Sequence, residues 1–563
     1  MSRANAGKNY LSVKKSIKYI LILILIASAF LRLYGLSRGD TVNDEVFMSF
    51  RGLGMMDFDE AQMQTTPLEW YEPNIPFWTR FSFHDHPPLV FLTESISMKI
   101  FGENNFAFRL PSALLGIASV YLIYLIGTYI FSGNIGLLAA AILGITLNNV
   151  YISRVGMQES YVIFFILLAC YLFLKAFDKE KYFIWAGVAA GLGFLAKYNT
   201  FILIPIFATY LLLFKRSYIF NKKLWLGIFL SLVIFSPVII YNIGLYRASG
   251  HFDFQFSYIF GQHPEVWQAT PGKDIGTIAD RVRNFAPRLV ATNSWIFLSL
   301  FALAVISFIY SLFKNFKKVL KEHGFLIISI FYLVILLLFI GPSYRFLTML
   351  TPFAALAVAV FLVNFYNKFL AANKKNIACG FVAVFFAFEI FYSVNNQIVY
   401  YPVGPTPWFS SKVRYENYNW GYNELGDFLN KELEGKMPAL TFDMQYKFLN
   451  DLRDKVLAED TVKGLELYPA LIIYDGNFDL AAKLWILDRL QIYHGWPVIS
   501  KATYFDYLNK NGFDFYDRSG FQYHYFILQT NIVPDEAARS LMRGNAISIY
   551  NKRGEEVFKV YEF

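Results

Sequence analysis

The sequence has little charge and almost no cysteine. Asp, Glu, Lys and Arg make up 17% of its 563 residues, against 56% hydrophobic residues. A soluble chain of this length does not carry so few charges, so the deficit excludes a soluble protein and points to membrane spans. The two cysteines, Cys170 and Cys379, both lie inside apolar runs, which leaves no disulfide framework and no zinc-ligand spacing. There is no internal repeat and no low-complexity segment. The net charge of +9 is not gathered on one soluble face, as a nucleic-acid binder would need. It is spread over short loops between apolar runs, and nucleic acid is not an expected partner.

Aromatic residues are abundant, with 59 Phe and 38 Tyr, which suits lipid-facing helices with interfacial belts. Eleven apolar runs read as spans: 17–36, 109–131, 134–152, 160–177, 181–196, 199–214, 224–243, 292–313, 324–341, 346–366 and 376–397. The first follows a basic N-terminus (Arg3, Lys8, Lys14, Lys15). Its Ala27-Ser28-Ala29 resembles a signal-peptidase site, but the run continues past that point, and a retained anchor is expected.

A further apolar stretch, 89–101, is ambiguous, and charge resolves it. Loops 178–182, 215–223, 314–323 and 367–375 are Lys-rich and should be cytoplasmic, as should the basic N-terminus. These placements agree only if 89–101 does not cross. It is therefore expected as an interfacial helix on the outer face, with Pro87 and Pro88 at its start, where a missing N–H costs nothing.

This topology leaves two long outer loops, 37–108 and 244–291, long enough to need a reason such as a lid or binding surface. The expected organisation is a membrane domain over 1–398, a Pro-rich linker over 399–414, and an extracytoplasmic α/β domain over 415–563. In that tail, Ala439–Phe442, Ala470–Tyr474 and Phe526–Gln529 read as strands. Stretches 421–433, 446–459, 479–491 and 535–543 read as helices, and a last hairpin turns at Asn551–Gly554. No nucleotide-binding glycine loop occurs there.

Several charges sit at the outer ends of spans, against the positive-inside trend. Asp44 and Glu45 follow the first span, Asp85 and His86 precede the interfacial helix, and Arg109 opens the second span. Arg154 and Glu159 flank the turn after the third, Lys197 lies between two short spans, and Arg345 opens the tenth. Each alone reads equally as a solvated loop end or a snorkelling anchor. Together, charges this close to a bilayer are costly unless they pair or act. Carboxylates and basic groups converging on one face point to an anion site beside a base.

A series of ordered motifs carries a resemblance. Asn43-Asp44-Glu45, His86-Pro87-Pro88-Leu89, Arg109-Leu-Pro-Ser-Ala-Leu114 and Ser153-Arg154 with Glu159, followed by Arg345-Phe-Leu and Pro352, resemble the protein O-mannosyltransferase / aminoarabinose transferase superfamily. The resemblance covers residues 17–366 and implies the GT-C fold, a polyprenyl-phosphate sugar donor and inversion at the anomeric carbon. It makes Asp44 the candidate general base, with Glu45 supporting it. Arg109, Arg154, Glu159, Lys197, Arg345 and His86 become candidates for binding donor phosphate and substrate.

The chemistry fits these residue types. A hydroxyl acceptor must lose its proton as it attacks, and a positioned carboxylate can take it. The departing phosphate needs fixed cations, Arg as a fork and Lys as a point charge. No firm cofactor is expected. Asp85, His86 and His263 would suit zinc if the second outer loop folded over the first, but lone loop histidines are more often not ligands.

Neither outer loop has room for the β-trefoil domain that Ser/Thr-directed mannosyltransferases usually carry, which argues against the eukaryotic type and favours a bacterial or archaeal member modifying a lipid, a glycan or a surface protein. The competing reading is a transporter or flippase for a lipid-linked glycan, a class that places its charges near the midplane of paired repeats. A non-catalytic scaffold and a glycan ligase of the same fold are further alternatives.

Overall fold

The computed structural model describes residues 3–41, 44–54, 77–82, 86–262, 276–371, 374–444 and 447–563. The chain divides into two compact units. Among the described residues, the first holds those up to Leu36 and those from 77 to 415, and the second holds Ser37–Gly54 and Glu416–Phe563.

Every expected span falls on helix. In chain order the helices begin with α1 (Arg3–Leu33), α2 (Glu45–Gly54), α3 (Leu89–Phe101), α4 (Asn105–Ile130), α5 (Gly133–Ile145), α6 (Leu147–Ser153) and α7 (Gln158–Ala176). They continue with α8 (Tyr182–Ala196), α9 (Leu203–Phe214), α10 (Lys222–Ser249), α11 (Ile278–Thr292), α12 (Trp295–Ile340), α13 (Thr351–Ala371) and α14 (Lys375–Gln397). Six described helices are long and apolar enough to cross a membrane, or seven if α5 and α6, bent by 63°, form one span. The chain is thus a multi-pass membrane protein.

Helix length alone does not reach the eleven expected crossings. The runs 292–313 and 324–341 join in α12, which is broken at Asn315. The run 181–196 lies on a helix of 15 residues and the run 199–214 on the helical stretch Tyr198–Phe214, both short of the ~20 that a crossing takes.

Local chemistry sets the helix ends. The Asn104 side chain caps α4, the Ser132 side chain caps α5, and that of Asn221 caps α10. Packing within the bundle relies on small residues. A Cβ at Gly187 in α8 would run into the backbone carbonyl of Gly227 in α10, so these two helices touch backbone to backbone. Helix α3 has the expected start after Pro88. Leu92, Ile96 and Ile100 form an exposed apolar stripe along it, as a helix lying in an interface requires.

The stretch expected to link two domains is held down on the first unit. The Tyr392 hydroxyl of α14 donates to the carbonyls of Pro407 and Ser410, at 3.2 and 3.0 Å. Asn395 and Asn396 of the same helix hold Val403, Phe409 and Ser411.

The second unit is α/β. Its five-stranded sheet has the order β4-β3-β5-β7-β6, with β3 (Ala470–Tyr474), β4 (Val498–Ser500), β5 (Tyr523–Gln529), β6 (Asn545–Tyr550) and β7 (Glu556–Glu562). Strand β3 has parallel partners on both sides, which explains its unbroken apolar run. Strands β6 and β7 form the expected hairpin through 551–554. A separate parallel pair joins β1 (Lys436–Pro438) to β2 (Glu466–Tyr468).

The strand expected at Ala439–Phe442 is therefore misplaced. The ladder stops at Pro438, and Leu440 and Phe442 instead pack on the sheet's hydrophobic core. Helices expected at 421–433 and 446–459 appear as α15 (Tyr422–Glu432) and α16 (Lys447–Val462). The expected 479–491 helix is a continuous helical run over 480–494 with a wider turn at Leu484–Asp488.

Candidate active site

Glu159 lies in the first turn of α7, where a carboxylate meets the positive end of the helix. It is 1% exposed. The turn before it is pinned from two sides: Ser112 Oγ donates to the Met157 carbonyl and Ser160 Oγ to that of Ile152. Lys197, the extended residue that ends α8, brings its Nζ to 2.6 Å from Glu159 Oε1. Arg345, just before the helical turn Phe346–Leu350, brings its Nε to 3.8 Å from the same oxygen. Both cations also lie over the Phe346 ring, at 4.8 and 5.1 Å from its centre. The structure thus brings together three of the residues singled out in the sequence, from three separate parts of the bundle. Glu159 thus pairs at long range with Lys197 and Arg345, whereas the nearby Arg154 turns to backbone carbonyls.

Arg154 and Arg109 are placed differently. The Arg154 guanidinium, 8% exposed, donates to the carbonyls of Leu31, Arg32, Tyr34 and Gly35 at 2.8–3.3 Å. Arg109, 4% exposed, donates to the Leu36 carbonyl at 3.0 Å. Together they gather the carbonyls that end α1, the negative end of that helix. Arg32, which the sequence reading passed over, does similar work inside the bundle. It is fully buried and donates to the carbonyls of Ser28, Leu143 and Gly144, to the Ser28 hydroxyl and to Asn149 Oδ1.

A second buried group was also missed. The Asp253 carboxylate accepts from the Tyr198 hydroxyl at 2.7 Å and from Asn242 Nδ2 at 2.9 Å, and caps Phe256 N–H at 2.8 Å. It ties the start of the second long loop to α10. Tyr198 directly follows Lys197, so this tie also steadies the lysine's backbone.

His86 sits before α3, with its carbonyl accepting from Ser82 Oγ and its ring edge-on to Phe91. Asp85 and His263, the other residues of the weak metal expectation, lie outside the described residues. Among the described residues no three His, Cys, Asp or Glu side chains form a group that could hold a metal ion.

Asp44 and Glu45 belong to the second unit. Asp44 is half-buried and precedes α2; Glu45 opens that helix and is 1% exposed. Four residues earlier lies Asp40, which sequence reasoning missed. Its carboxylate is 1% exposed and accepts backbone N–H bonds from Trp420, Gly421 (3.0 Å) and Asn423 (2.9 Å). Burial pushes its carboxyl up to about 6, against the downward pull of those three amides.

Residues 85–241 match the family model described as dolichyl-phosphate-mannose-protein mannosyltransferase. That stretch includes Arg109, Arg154, Glu159 and Lys197. The putative mannosyltransferase YkcB of Bacillus subtilis is 28% identical over 289 residues, covering 46% of this chain and 38% of the relative. The undecaprenyl phosphate-alpha-4-amino-4-deoxy-L-arabinose arabinosyl transferase of Wigglesworthia glossinidia brevipalpis is 29% identical over 171 residues, covering 29% of this chain and 30% of that protein. The matched region thus spans well under half of the length of either relative. The crystal structure of ArnT from Cupriavidus metallidurans bound to undecaprenyl phosphate aligns with a TM-score of 0.51 at 12% identity, covering 96% of this chain and 97% of that one. At that identity the likeness is one of fold, and the fold is the GT-C fold.

Proposed function

We propose that this chain is an inverting glycosyltransferase. It moves a sugar from a polyprenyl-phosphate donor to a hydroxyl of a lipid, glycan or protein at the outer face of the membrane. In this reading the N-terminus is cytoplasmic and the C-terminal unit extracytoplasmic. The observation that carries the reading is the convergence of Lys197 and Arg345 on the buried Glu159. The lysine and the carboxylate lie in the stretch that matches the mannosyltransferase family model.

Two cations held on helix ends, with an aromatic ring beneath them, are arranged for an anion whose charge grows during reaction. In the proposed step the acceptor oxygen attacks the anomeric carbon of the donor. The bond from that carbon to the phosphate oxygen breaks, and polyprenyl phosphate leaves with the electron pair. Lys197 and Arg345 stabilise the charge that develops on it, and because they are already in place they need no reorganisation. Glu159 fixes where the two cations point. Asp44 takes the acceptor proton, with Glu45 supporting it, a role worth roughly 10²–10⁴-fold. Arg109 and Arg154 act at one remove, by holding the end of α1.

The test uses purified protein in nanodiscs with radiolabelled polyprenyl-phosphate mannose, glucose and aminoarabinose, and membrane extract as acceptor. Wild type is expected to remove label from one carrier, and Asp44→Asn to do so about 100-fold more slowly or worse. A wild-type protein that binds the carriers and never cleaves any of them sinks the glycosyltransferase and leaves the transporter. Equal cleavage by both proteins removes Asp44 from the role of base.

A further inference from the structure

The second unit holds more than its own sheet, because residues 37–54 pack within it. Asp40 is the tightest of these contacts. Its carboxylate meets the N-terminus of α15, accepting from the backbone amides of Trp420, Gly421 and Asn423. The grip is mutual: Asp40 N–H donates to the Tyr418 carbonyl, and Asn423 Nδ2 donates to that of Arg38 at 3.1 Å. Three amide donors and the positive end of a helix converge on its two oxygens.

Further along, α2 is fixed from its other end. Tyr493 donates its hydroxyl to the Phe50 carbonyl at 3.2 Å, and the two rings meet edge to face at 5.3 Å. Val46, Met48 and Phe50 are all buried. The segment bearing Asp44 and Glu45 is therefore clasped on both sides, by residues 380 and 443 positions away in sequence.

We infer that Asp40 is a positioning residue, and that one task of the C-terminal unit is to hold the segment that presents Asp44. The inference rests on the reading of Asp44 as the general base. Four extended residues reach no further than about 14 Å, so an anchored Asp40 sharply limits where Asp44 can go. A misplacement of about 1 Å at a reacting group can cost roughly 100-fold in rate. An asparagine at position 40 would keep one acceptor oxygen but turn an NH₂ group toward amide donors. An alanine would keep neither oxygen.

The test compares full-length wild type, Asp40→Asn and Asp40→Ala in nanodiscs, using the sugar donor that wild type cleaves. Two readouts are taken: kcat and KM for the donor, and hydrogen exchange at 44–54 beside exchange in β3 and β5. The expected result for Asp40→Ala is a kcat lowered tenfold or more with donor KM within twofold. Exchange should rise at 44–54 while the sheet keeps its protection, and Asp40→Asn should fall between. Unchanged kcat in both variants overturns the inference, as does exchange that rises equally through the sheet, which would make Asp40 a plain stabilising group. A wild type that transfers no sugar defeats the glycosyltransferase reading instead, and the exchange readout then still decides whether Asp40 holds residues 44–54.

Discussion

Two sets of cations in the membrane unit, three buried arginines and the half-buried pair Lys197 and Arg345, have different surroundings. Arg32, Arg109 and Arg154 spend their guanidinium groups largely on backbone carbonyls at the end of α1 and at the α5–α6 bend. Lys197 and Arg345 instead face a carboxylate, Glu159, and share one aromatic ring. In the proposed reaction, that difference separates residues that build from residues that act. A fork that binds four carbonyls joins pieces of chain, and releasing any of them leaves buried acceptors without donors. Two cations converge on one carboxylate from different parts of the chain, and under the proposed reaction they form a local field for the departing phosphate.

The sharpest way to break this comparison is at Lys197. Lys197→Met should lower sugar transfer by roughly 100-fold or more and also lower the melting temperature, because it uncovers a buried carboxylate. Adding Glu159→Gln should return most of the lost stability and none of the lost transfer. Recovery of both in the double variant would place this cluster with the structural set.

Arg154→Met should show the opposite balance. Four carbonyls lose a donor, at about 1–3 kcal/mol for each one left buried and unsatisfied. Thermal denaturation should show a larger drop than in Lys197→Met. Transfer per folded molecule should fall less. If transfer falls as far as in Lys197→Met with melting unchanged, Arg154 belongs with the donor site.

The same contrast extends to carboxylates, since Glu159 is met by cations and Asp40 by backbone amides. The Asp40 carboxyl is pushed up to about 6, first by burial, above the ~3.9 of an unfolded chain. A group raised in this way contributes stability that is complete below about pH 4 and lost as pH rises through about 6, roughly 3 kcal/mol in all. The melting temperature of wild type relative to Asp40→Asn should therefore fall between about pH 4 and pH 7. A flat difference over that window would mean that the three amides offset burial in full.

Much of this was legible in the chain. Apolar runs marked where helices form, because in a membrane a helix satisfies its own backbone. The helix after Pro88 was expected and is there, and β3 was expected from its short apolar run. Strand β4 escaped because three residues carry no period. The strand placed at 439–442 failed because its apolar residues face the core from a loop rather than a ladder. Glu159, Lys197 and Arg345 were each visible as charges at span ends. Their convergence was not, since 186 positions separate the first from the last and nothing local encodes the pairing.

Asp40 marks the boundary between the two kinds of information. In the sequence it is one more loop carboxylate between Gly39 and Thr41, with no motif around it. In the fold it is buried on three amides of a helix from the far end of the chain. The sequence by itself determined that this is a multi-pass membrane protein with a polar α/β tail, because hydropathy and charge act residue by residue through solvation. Only the tertiary structure decided which arginines hold the end of α1, which cations meet Glu159, and that residues 37–54 fold with the tail. A hydrogen bond or ion pair depends on distances between side chains that only the packed chain sets.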